Sequence, residues 1–290
     1  MTSAAIWFAG ARPRTLPAAV VPVAVGTAAS DLGNGTTIWK VAVALVVSLA
    51  LQIGVNYAND YSDGVRGTDD DRLGPLRLVA SGAASPRSVL AAALGSFVVA
   101  GIGGIALAAT SGWWLVLVGA AAMLAAWGYT GGPKPYGYSG LGEVFVFVFF
   151  GLVATTGSAY VQDQEVTGLA IFAAVPVGLL AVALLVTNNL RDLPKDETAG
   201  KNTLAVRLGD GVTRGFYVAI VVAVFLCLPY LAIVRPWALL AMGAVLAAIS
   251  PVRTVLGGAS GPALIPVLAG TGRLQLVYGL LLTVGLALSG

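Results

Sequence analysis

Apolar residues run through most of this chain in long stretches that short polar segments interrupt. Each stretch is about 20 residues long, which is the length that a helix needs to cross a hydrocarbon core of about 30 Å. We therefore predict an all-α polytopic membrane protein with nine spanning helices in a single transmembrane domain, residues 1–290. The predicted spans are residues 15–30, 38–59, 87–110, 112–130, 141–161, 168–190, 213–234, 236–256 and 271–289.

Composition supports the membrane prediction and excludes mechanisms that depend on histidine or on an intrachain disulfide. Only 10% of the residues are charged and 58% are hydrophobic, whereas a soluble domain has about 25% charged residues. The chain contains no histidine, which excludes histidine catalysis and histidine-bound metal. Its one cysteine, Cys227, cannot form an intrachain disulfide. The N-terminus lacks the pattern of a cleaved signal peptide, so we expect it to be retained.

The basic residues indicate how the predicted helices are oriented. With a cytoplasmic N-terminus, 14 of the 16 Lys and Arg residues lie on the cytoplasmic side, and only Lys40 and Arg235 lie opposite. This asymmetry follows the positive-inside rule. The rule makes no demand on acids, yet 10 of the 13 Asp and Glu residues also lie on the cytoplasmic side. Asp-rich cytoplasmic connections are predicted at about 60–87 and 191–213, and we expect them to carry the function.

The first acidic cluster lies at the end of the second predicted span. Asn56, Asn59, Asp60 and Asp63 have offsets of 0, 3, 4 and 7, which place them on one helical face. Polar groups beside a bilayer are unfavourable unless they face a cavity, a partner or a metal. The cluster continues through Asp69, Asp70 and Asp71, of which at least one is expected only to face water.

The second acidic cluster lies at the cytoplasmic end of the sixth predicted span. Asn188, Asp192 and Asp196 are spaced i, i+4 and i+8. Pro194 lacks an N–H group, so we expect it to disturb the helix and to leave Asp196 on a turn. The clusters occupy equivalent positions four spans apart, which suggests a weak internal repeat with a site between the halves.

Two facing carboxylate clusters with nearby basic residues suit a diphosphate ligand. Mg²⁺ binds through one or two carboxylates together with phosphate oxygens, and it stabilises charge on a leaving diphosphate. The alternative is a purely structural role. Each acidic cluster would then be a solvated helix end or a helix cap, and each basic residue would only fix the orientation of the helices in the membrane. The candidate contacts to the diphosphate are Arg14, Arg77, Lys134 and Lys201.

These motifs resemble the UbiA superfamily of intramembrane prenyltransferases, and within it the members of menaquinone synthesis. The resemblance extends over most of the chain, and its motifs are specific only when taken together. They are Asn59-Asp60-x-x-Asp63 and Asp192-x-x-x-Asp196, with Ala11–Pro17, Asn56–Asp63, Gly67–Asp69, Asp71–Arg77, Tyr129–Tyr138, Asn188–Asp192 and Lys201–Gly209.

The resemblance implies nine helices around a central cavity that opens to the cytoplasm and sideways to lipid. It implies a Mg²⁺-dependent enzyme of the bacterial plasma membrane, with two ions bridging a polyprenyl diphosphate. The acceptor would be 1,4-dihydroxy-2-naphthoate, and the products would be a demethylmenaquinone, diphosphate and CO₂. Membrane lipid is the expected surrounding, and no nucleic acid is expected as a partner.

The resemblance also suggests roles for individual residues. The superfamily commonly has a third Asp where this chain has Gly67, so that role passes to Asp69 or Asp70. We predict Asn59, Asp63, Asp69, Asp192 and Asp196 as metal ligands, and Asp60, Asp63, Asp192 and Lys134 as catalytic. Substrate contacts are predicted for Arg14, Asn56, Asn59, Tyr61, Arg77, Tyr129, Asn188 and Lys201.

Breaking an allylic C–O bond leaves a carbocation, which aromatic faces stabilise. An alternative is that these aromatic residues belong only to the belt at the membrane interface. The candidates for such walls are Tyr57, Tyr61, Tyr129, Phe145, Phe147 and Phe149.

Three other functions compete with the predicted reaction. A related prenyltransferase would use another acceptor, such as 4-hydroxybenzoate or homogentisate. A CDP-alcohol phosphotransferase would need one contiguous Asp motif, whereas Asp60 and Asp192 here are far apart. An ion-coupled transporter would need acids deep within several spans, whereas these acids lie mostly at helix ends.

Overall fold

The computed structural model describes residues 3–30, 35–67 and 76–290, and the regular elements among them are all helical. Seven of these helices are long and apolar enough to cross a membrane, which confirms the all-α membrane prediction. The count of nine spans stays a prediction, because Pro17–Ala28 and Leu115–Gly128 are shorter apolar helices. In chain order the helices are α1 (Ser3–Gly10), α2 (Pro17–Ala28), α3 (Ile38–Arg66), α4 (Pro86–Ser111), α5 (Leu115–Gly128), α6 (Gly142–Asp163), α7 (Gly168–Thr198), α8 (Leu204–Leu208), α9 (Asp210–Val234), α10 (Pro236–Leu256) and α11 (Gly261–Leu288).

Helix α3 extends to Arg66, beyond its predicted end at residue 59. Asp60 and Asp63 therefore lie on a helix and not in the Asp-rich connection predicted at 60–87. Gly67 ends the helix with φ of 73°, a left-handed conformation that favours glycine. The position where the superfamily commonly has its third Asp is thus used here to stop α3.

Helix α7 continues through Pro194 to Thr198, so the expectation that Asp196 sits on a turn is wrong. A proline removes one backbone hydrogen bond, and flanking bonds can carry the helix past it. Asp192 and Asp196 consequently stay one turn apart on the same face. The connection predicted at 191–213 likewise begins within a helix.

Three clusters of buried apolar side chains support the helices, and the smallest lies around Val23, Ala44, Leu107 and Val161. The largest cluster joins α2, α6, α7, α9, α10 and α11, and the second joins α1, α3, α4 and the segment around Leu78. Helices α6 and α7 approach closely where Gly151 faces Gly178. A Cβ on Gly151 would lie 2.5 Å from the Cα of Gly178, so this crossing requires a residue without a side chain.

Lys40 lies near the start of α3 and is buried. Its ammonium donates hydrogen bonds to Ser111 Oγ at 3.1 Å and to the carbonyl of Val161 at 2.6 Å. Asp63 lies near the other end of the same helix, about 35 Å away at 1.5 Å per residue. Lys40 and the acidic clusters therefore occupy opposite ends of the helical bundle.

Candidate active site

A cavity of about 740 Å³ is lined by residues of α2, α3, α5, α6 and α7. Its walls are polar near Asp63 and aliphatic toward Val161, whose carbonyl accepts the hydrogen bond from Lys40. Such walls suit a ligand with an anionic head and an apolar tail. The predicted site residues that line this cavity are Arg14, Asn56, Asn59, Asp63, Arg77, Tyr129, Asn188, Asp192, Asp196 and Lys201.

The polar face of α3 is held by groups outside that helix. Asn56 Nδ2 donates to the carbonyl of Ala11 at 2.9 Å and to Thr15 Oγ1 at 3.1 Å. Thr15 Oγ1 also accepts a hydrogen bond from Gln52 Nε2 at 3.0 Å. Thr15, in the segment before α2, thus orients two amide side chains of α3.

Asn59 and Asp63 meet groups from later in the chain. Thr130 Oγ1 donates to Asn59 Oδ1 at 2.7 Å. The hydroxyl of Tyr138 donates to Asp63 Oδ1, and Lys201 Nζ lies 3.5 Å from the same oxygen. Lys201 Nζ also lies 4.7 Å from the centre of the Tyr138 ring. The segment after α7 therefore supplies a cation to the carboxylate at the end of α3.

Asp192 on α7 pairs with its own neighbour, Arg191. Nε and Nη2 of Arg191 lie 2.7 Å from Oδ1 and Oδ2 of Asp192, and Nη2 also donates to Asn188 Oδ1 at 2.8 Å. Adjacent helical residues normally point in different directions, so the Arg191 side chain folds back along α7. A bidentate pair of this kind is strong and geometrically specific.

Asp60 does not line the cavity, so its predicted catalytic role lacks a direct contact. Its fully buried carboxylate accepts hydrogen bonds from the backbone N–H of Leu78 at 2.8 Å and of Val79 at 3.0 Å. These bonds anchor the segment that carries Arg77, which does line the cavity. The contacts therefore assign Asp60 to positioning a loop.

Two further predicted residues also lie outside the cavity lining. Tyr61 packs against Trp127, with ring centres 6.5 Å apart. Lys134 is exposed in the segment between α5 and α6. Neither side chain has direct contact with the cavity, so the substrate contact predicted for Tyr61 and the catalysis predicted for Lys134 lack structural support. Asp69, predicted to bind metal, lies with Asp70 and Asp71 outside the described residues.

Four aromatic rings form a continuous row along the cavity. Their centres are separated by 5.5 Å from Tyr129 to Tyr136, 4.0 Å from Tyr136 to Phe145 and 6.1 Å from Phe145 to Phe149. Burial raises the pKa of Tyr136 above its usual value, so its phenol stays neutral. Of the predicted aromatic walls, Tyr129, Phe145 and Phe149 line the cavity, whereas Tyr57, Tyr61 and Phe147 do not.

The donor atoms at the polar end suit a hard divalent cation. Carboxylate and amide oxygens of Asn59, Asp63, Asp192 and Asp196 belong to residues that line one cavity. Within residues 3–30, 35–67 and 76–290, no three acidic or sulfur side chains cluster closely enough to hold an ion alone. Mg²⁺ binds through few protein ligands together with water and phosphate oxygens. The residues present therefore fit a metal that is shared with a phosphate ligand.

Several residues of this region were not predicted as site residues from the sequence. Thr15, Thr130 and Tyr138 lie inside segments whose neighbours were singled out, but their roles depend on contacts across the fold. Glu143 is the one acid in the predicted span 141–161, and its Oε1 accepts from Asn189 Nδ2 at 3.0 Å. An acid within an apolar span is a signal that could have found it.

Several relatives of this chain share one name. The sequence matches the UbiA prenyltransferase family over residues 19–260. The 1,4-dihydroxy-2-naphthoate octaprenyltransferase of Mycobacterium leprae is 49% identical over 290 residues, which cover 100% of this chain and 99% of that protein. The protein of the same name from Escherichia coli is 38% identical over 229 residues, covering 77% of this chain and 74% of that protein.

Solved structures share the fold. A UbiA homologue from Aeropyrum pernix K1 has a TM-score of 0.70 at 15% identity, covering 93% of this chain and 96% of that one. A UbiA homologue from Archaeoglobus fulgidus, solved with GPP and Mg²⁺, has a TM-score of 0.62 at 14% identity, covering 96% and 99%. Together with the sequence match over most of its length, this shows that the chain belongs to the UbiA prenyltransferase family.

Proposed function

We propose that this enzyme transfers a polyprenyl group from a polyprenyl diphosphate to 1,4-dihydroxy-2-naphthoate, with release of diphosphate and CO₂ to give the quinol form of a demethylmenaquinone. The observation that carries the proposal is that Asp63 and Asp192, each paired with a basic side chain, both line one largely apolar cavity. The names of relatives that align over the whole chain support the acceptor. Family membership speaks against the transporter and phosphotransferase alternatives.

The diphosphate binds between the ends of α3 and α7. Arg14, Arg77 and Lys201 bind its oxygens, and the two arginines can each contact a pair of oxygens through the guanidinium fork. Bound Mg²⁺ supplies the positive charge that stabilises the leaving diphosphate. The proposed holders of two such ions are Asn59 and Asp63 on α3, Asp192 and Asp196 on α7, and Asp69.

The chain's own residues guide the reaction after the allylic C–O bond breaks. That bond's electron pair leaves with the diphosphate, and the faces of Tyr129 and Phe145 stabilise the prenyl carbocation. The acceptor carbon that carries the carboxylate attacks the cation, and loss of CO₂ returns an electron pair to the ring. Charge balances without a proton acceptor, which is consistent with a chain that has no histidine.

The membrane arrangement forms part of the proposal. We place the N-terminus and the polar end of the cavity in the cytoplasm, with α2 and α5 completing nine spans. The distribution of basic residues supports this orientation, because 14 of 16 then lie on the cytoplasmic side. A long isoprenoid gains about 0.8 kcal/mol per buried CH₂. A cavity open sideways to lipid would let the substrate tail stay in the bilayer.

The direct test uses purified protein with a polyprenyl diphosphate and either 1,4-dihydroxy-2-naphthoate or 4-hydroxybenzoate. Parallel reactions contain Mg²⁺ or EDTA, and both quinol product and CO₂ are followed. Product and CO₂ from the naphthoate only, and only with Mg²⁺, are expected. Product from the benzoate alone would overturn the acceptor while keeping prenyl transfer.

A further inference from the structure

Glu143 is a buried acid near the start of α6 that has no part in the proposed metal and diphosphate contacts. Its side chain is 6% exposed, and Oε1 accepts the hydrogen bond from Asn189. Oε2 is enclosed and makes no hydrogen bond within the described part of the chain. Burying a carboxyl group with one unsatisfied oxygen is unfavourable for folding. The burial of Glu143 is therefore better explained by a functional role than by stability.

Asn189, the partner of Glu143, lines the cavity. An asparagine amide has one donor end and one acceptor end. Since Nδ2 donates to Glu143, Oδ1 is the atom that remains for a ligand, and no residue described by the structure hydrogen-bonds to it. A carbonyl oxygen accepts O–H and N–H donors and disfavours the anionic oxygens of a phosphate. The geometry therefore suits a ligand hydroxyl.

The surroundings of Asn189 suit a flat ring. Leu185 lies four residues earlier on the same face of α7 and also lines the cavity, as does Tyr129. A Cβ on Gly142 would lie 3.2 Å from Tyr129 Cε2 and 3.3 Å from Leu185 Cδ2. The start of α6 thus packs directly against both side chains. One aromatic, one aliphatic and one amide group together border this part of the cavity.

This region is also close to the proposed reaction centre. Asn189 precedes Asp192 by three residues, which is about 4.5 Å along the helix axis. A ring bound beside Asn189 would therefore lie next to a diphosphate held by Asp192. An acceptor must occupy that place for its ring carbon to reach the prenyl cation.

We propose that Tyr129, Leu185 and Asn189 form the subsite for the acceptor ring, with Asn189 Oδ1 accepting a hydrogen bond from a phenolic hydroxyl. Glu143 is a positioning residue that fixes the direction of the Asn189 amide. The inference rests on the proposed function, because it assigns the acceptor side of the same site. The accepted bond draws the O–H hydrogen away from the ring oxygen and makes the ring more nucleophilic.

The test measures binding, so it does not depend on turnover. Full-length protein in detergent is titrated calorimetrically with 1,4-dihydroxy-2-naphthoate, with its dimethyl ether, and separately with geranyl thiodiphosphate and Mg²⁺. The variants are Asn189→Leu and Glu143→Gln. Gln275→Leu is a matched control, since Gln275 is a buried amide that does not line the cavity.

The wild type should bind the hydroxylated ligand about tenfold more tightly than the ether, which is the size expected of one hydrogen bond. Asn189→Leu should remove this preference and leave thiodiphosphate binding unchanged. Glu143→Gln should reduce the preference, because a glutamine amide can pair with Asn189 through either end and no longer fixes its direction. Gln275→Leu should retain the preference.

An unchanged preference in Asn189→Leu, with thiodiphosphate still bound, would overturn the subsite. If that variant also loses thiodiphosphate, Glu143→Gln decides, and an unchanged preference there overturns the inference. Naphthoate binding without product or CO₂ in the wild type would refute the proposed reaction and leave the subsite measurement valid. If the naphthoate does not bind, 4-hydroxybenzoate and its methyl ether replace the ligand pair.

Discussion

The polar clusters on α3 and α7 contribute carboxylates to one cavity, but they are stabilised in opposite ways. The α3 cluster is held by groups distant in sequence: Asn56 donates a hydrogen bond to Thr15, and Asp63 forms an ion pair with Lys201. On α7, Asp192 is paired with the adjacent Arg191. The geometry of the α3 cluster thus depends on contacts with other segments, whereas the ion pair of Asp192 forms within α7 itself.

This difference indicates which side of the cavity changes when a ligand binds. Contacts from several segments keep the α3 side chains in place beforehand, as electrostatic preorganisation requires. The pairing between Arg191 and Asp192 can be broken by rotation of the Arg191 side chain. We therefore expect α3 to present a fixed surface and α7 to exchange internal pairing for ligand contacts.

The largest effects should follow removal of either carboxylate. We expect Asp63→Asn and Asp192→Asn each to lower kcat by at least about 10³-fold, because each removes charge that binds metal at the leaving group. Product formation at saturating Mg²⁺ measures this, with size-exclusion chromatography to check folding. Asp210→Asn is the control, since Asp210 pairs with Arg214 outside the cavity. A large loss of kcat in only one of the two variants would show that the two carboxylates do not contribute equally to catalysis.

A smaller effect should follow loss of one contact across the fold. Tyr138→Phe removes the hydroxyl that donates to Asp63, and a hydrogen bond to a charged group contributes about 1.5–3 kcal/mol. We expect kcat/KM to fall by about tenfold or more. Tyr160→Phe, which loses a hydroxyl near Ser111, is the matched control. Equal rates in the wild type and Tyr138→Phe would show that α3 does not need this outside support.

Asp60 and Asp63 should separate stability from activity within one cluster. Asp60→Asn leaves one of the two backbone N–H groups, of Leu78 or Val79, without its acceptor oxygen, so the free energy of unfolding should fall by about 1–3 kcal/mol. Thermal unfolding in detergent measures this change. The folded fraction should keep turnover within the same order of magnitude as the wild type. A loss as large as that in Asp63→Asn, with unchanged stability, would restore a catalytic role for Asp60.

The smallest effect should be at Lys134, which is exposed. Lys134→Ala should change kcat/KM by less than about twofold, as is usual for surface positions. Lys201→Ala should be far more damaging, because Lys201 contacts Asp63. Comparable losses of kcat/KM in the two variants would show that Lys134 does contribute to the active site.

Helical periodicity predicted much of the α3 surface and failed at its edge. Asn56, Asn59 and Asp63 line the cavity as expected. Successive residues turn by about 100°, so Asp60 lies about 40° from Asn56 on one side of the stripe. Which direction that edge faces depends on the segment at Leu78, and its packing against α3 is not a local property of the sequence.

Contacts between distant segments were harder to predict. Thr130 and Asn59 are 71 residues apart, so their hydrogen bond follows from how α3 and the segment after α5 pack. Pro194 removes only one hydrogen bond from α7, and the tertiary packing of this helix keeps it continuous past that residue, which the local sequence did not predict. Local pattern therefore located the clusters, whereas packing selected which of their members face the cavity.

Lys40 has a consequence for the electrical insulation of the membrane. A solvent-accessible hole in a membrane enzyme is a potential leak for protons and other cations driven by the transmembrane voltage. Behind Val161, which lines this cavity, lies the buried ammonium of Lys40, which is bonded to Ser111 and to the Val161 carbonyl. A positive charge behind that wall repels cations, which opposes their passage from the cavity toward the other side of the membrane.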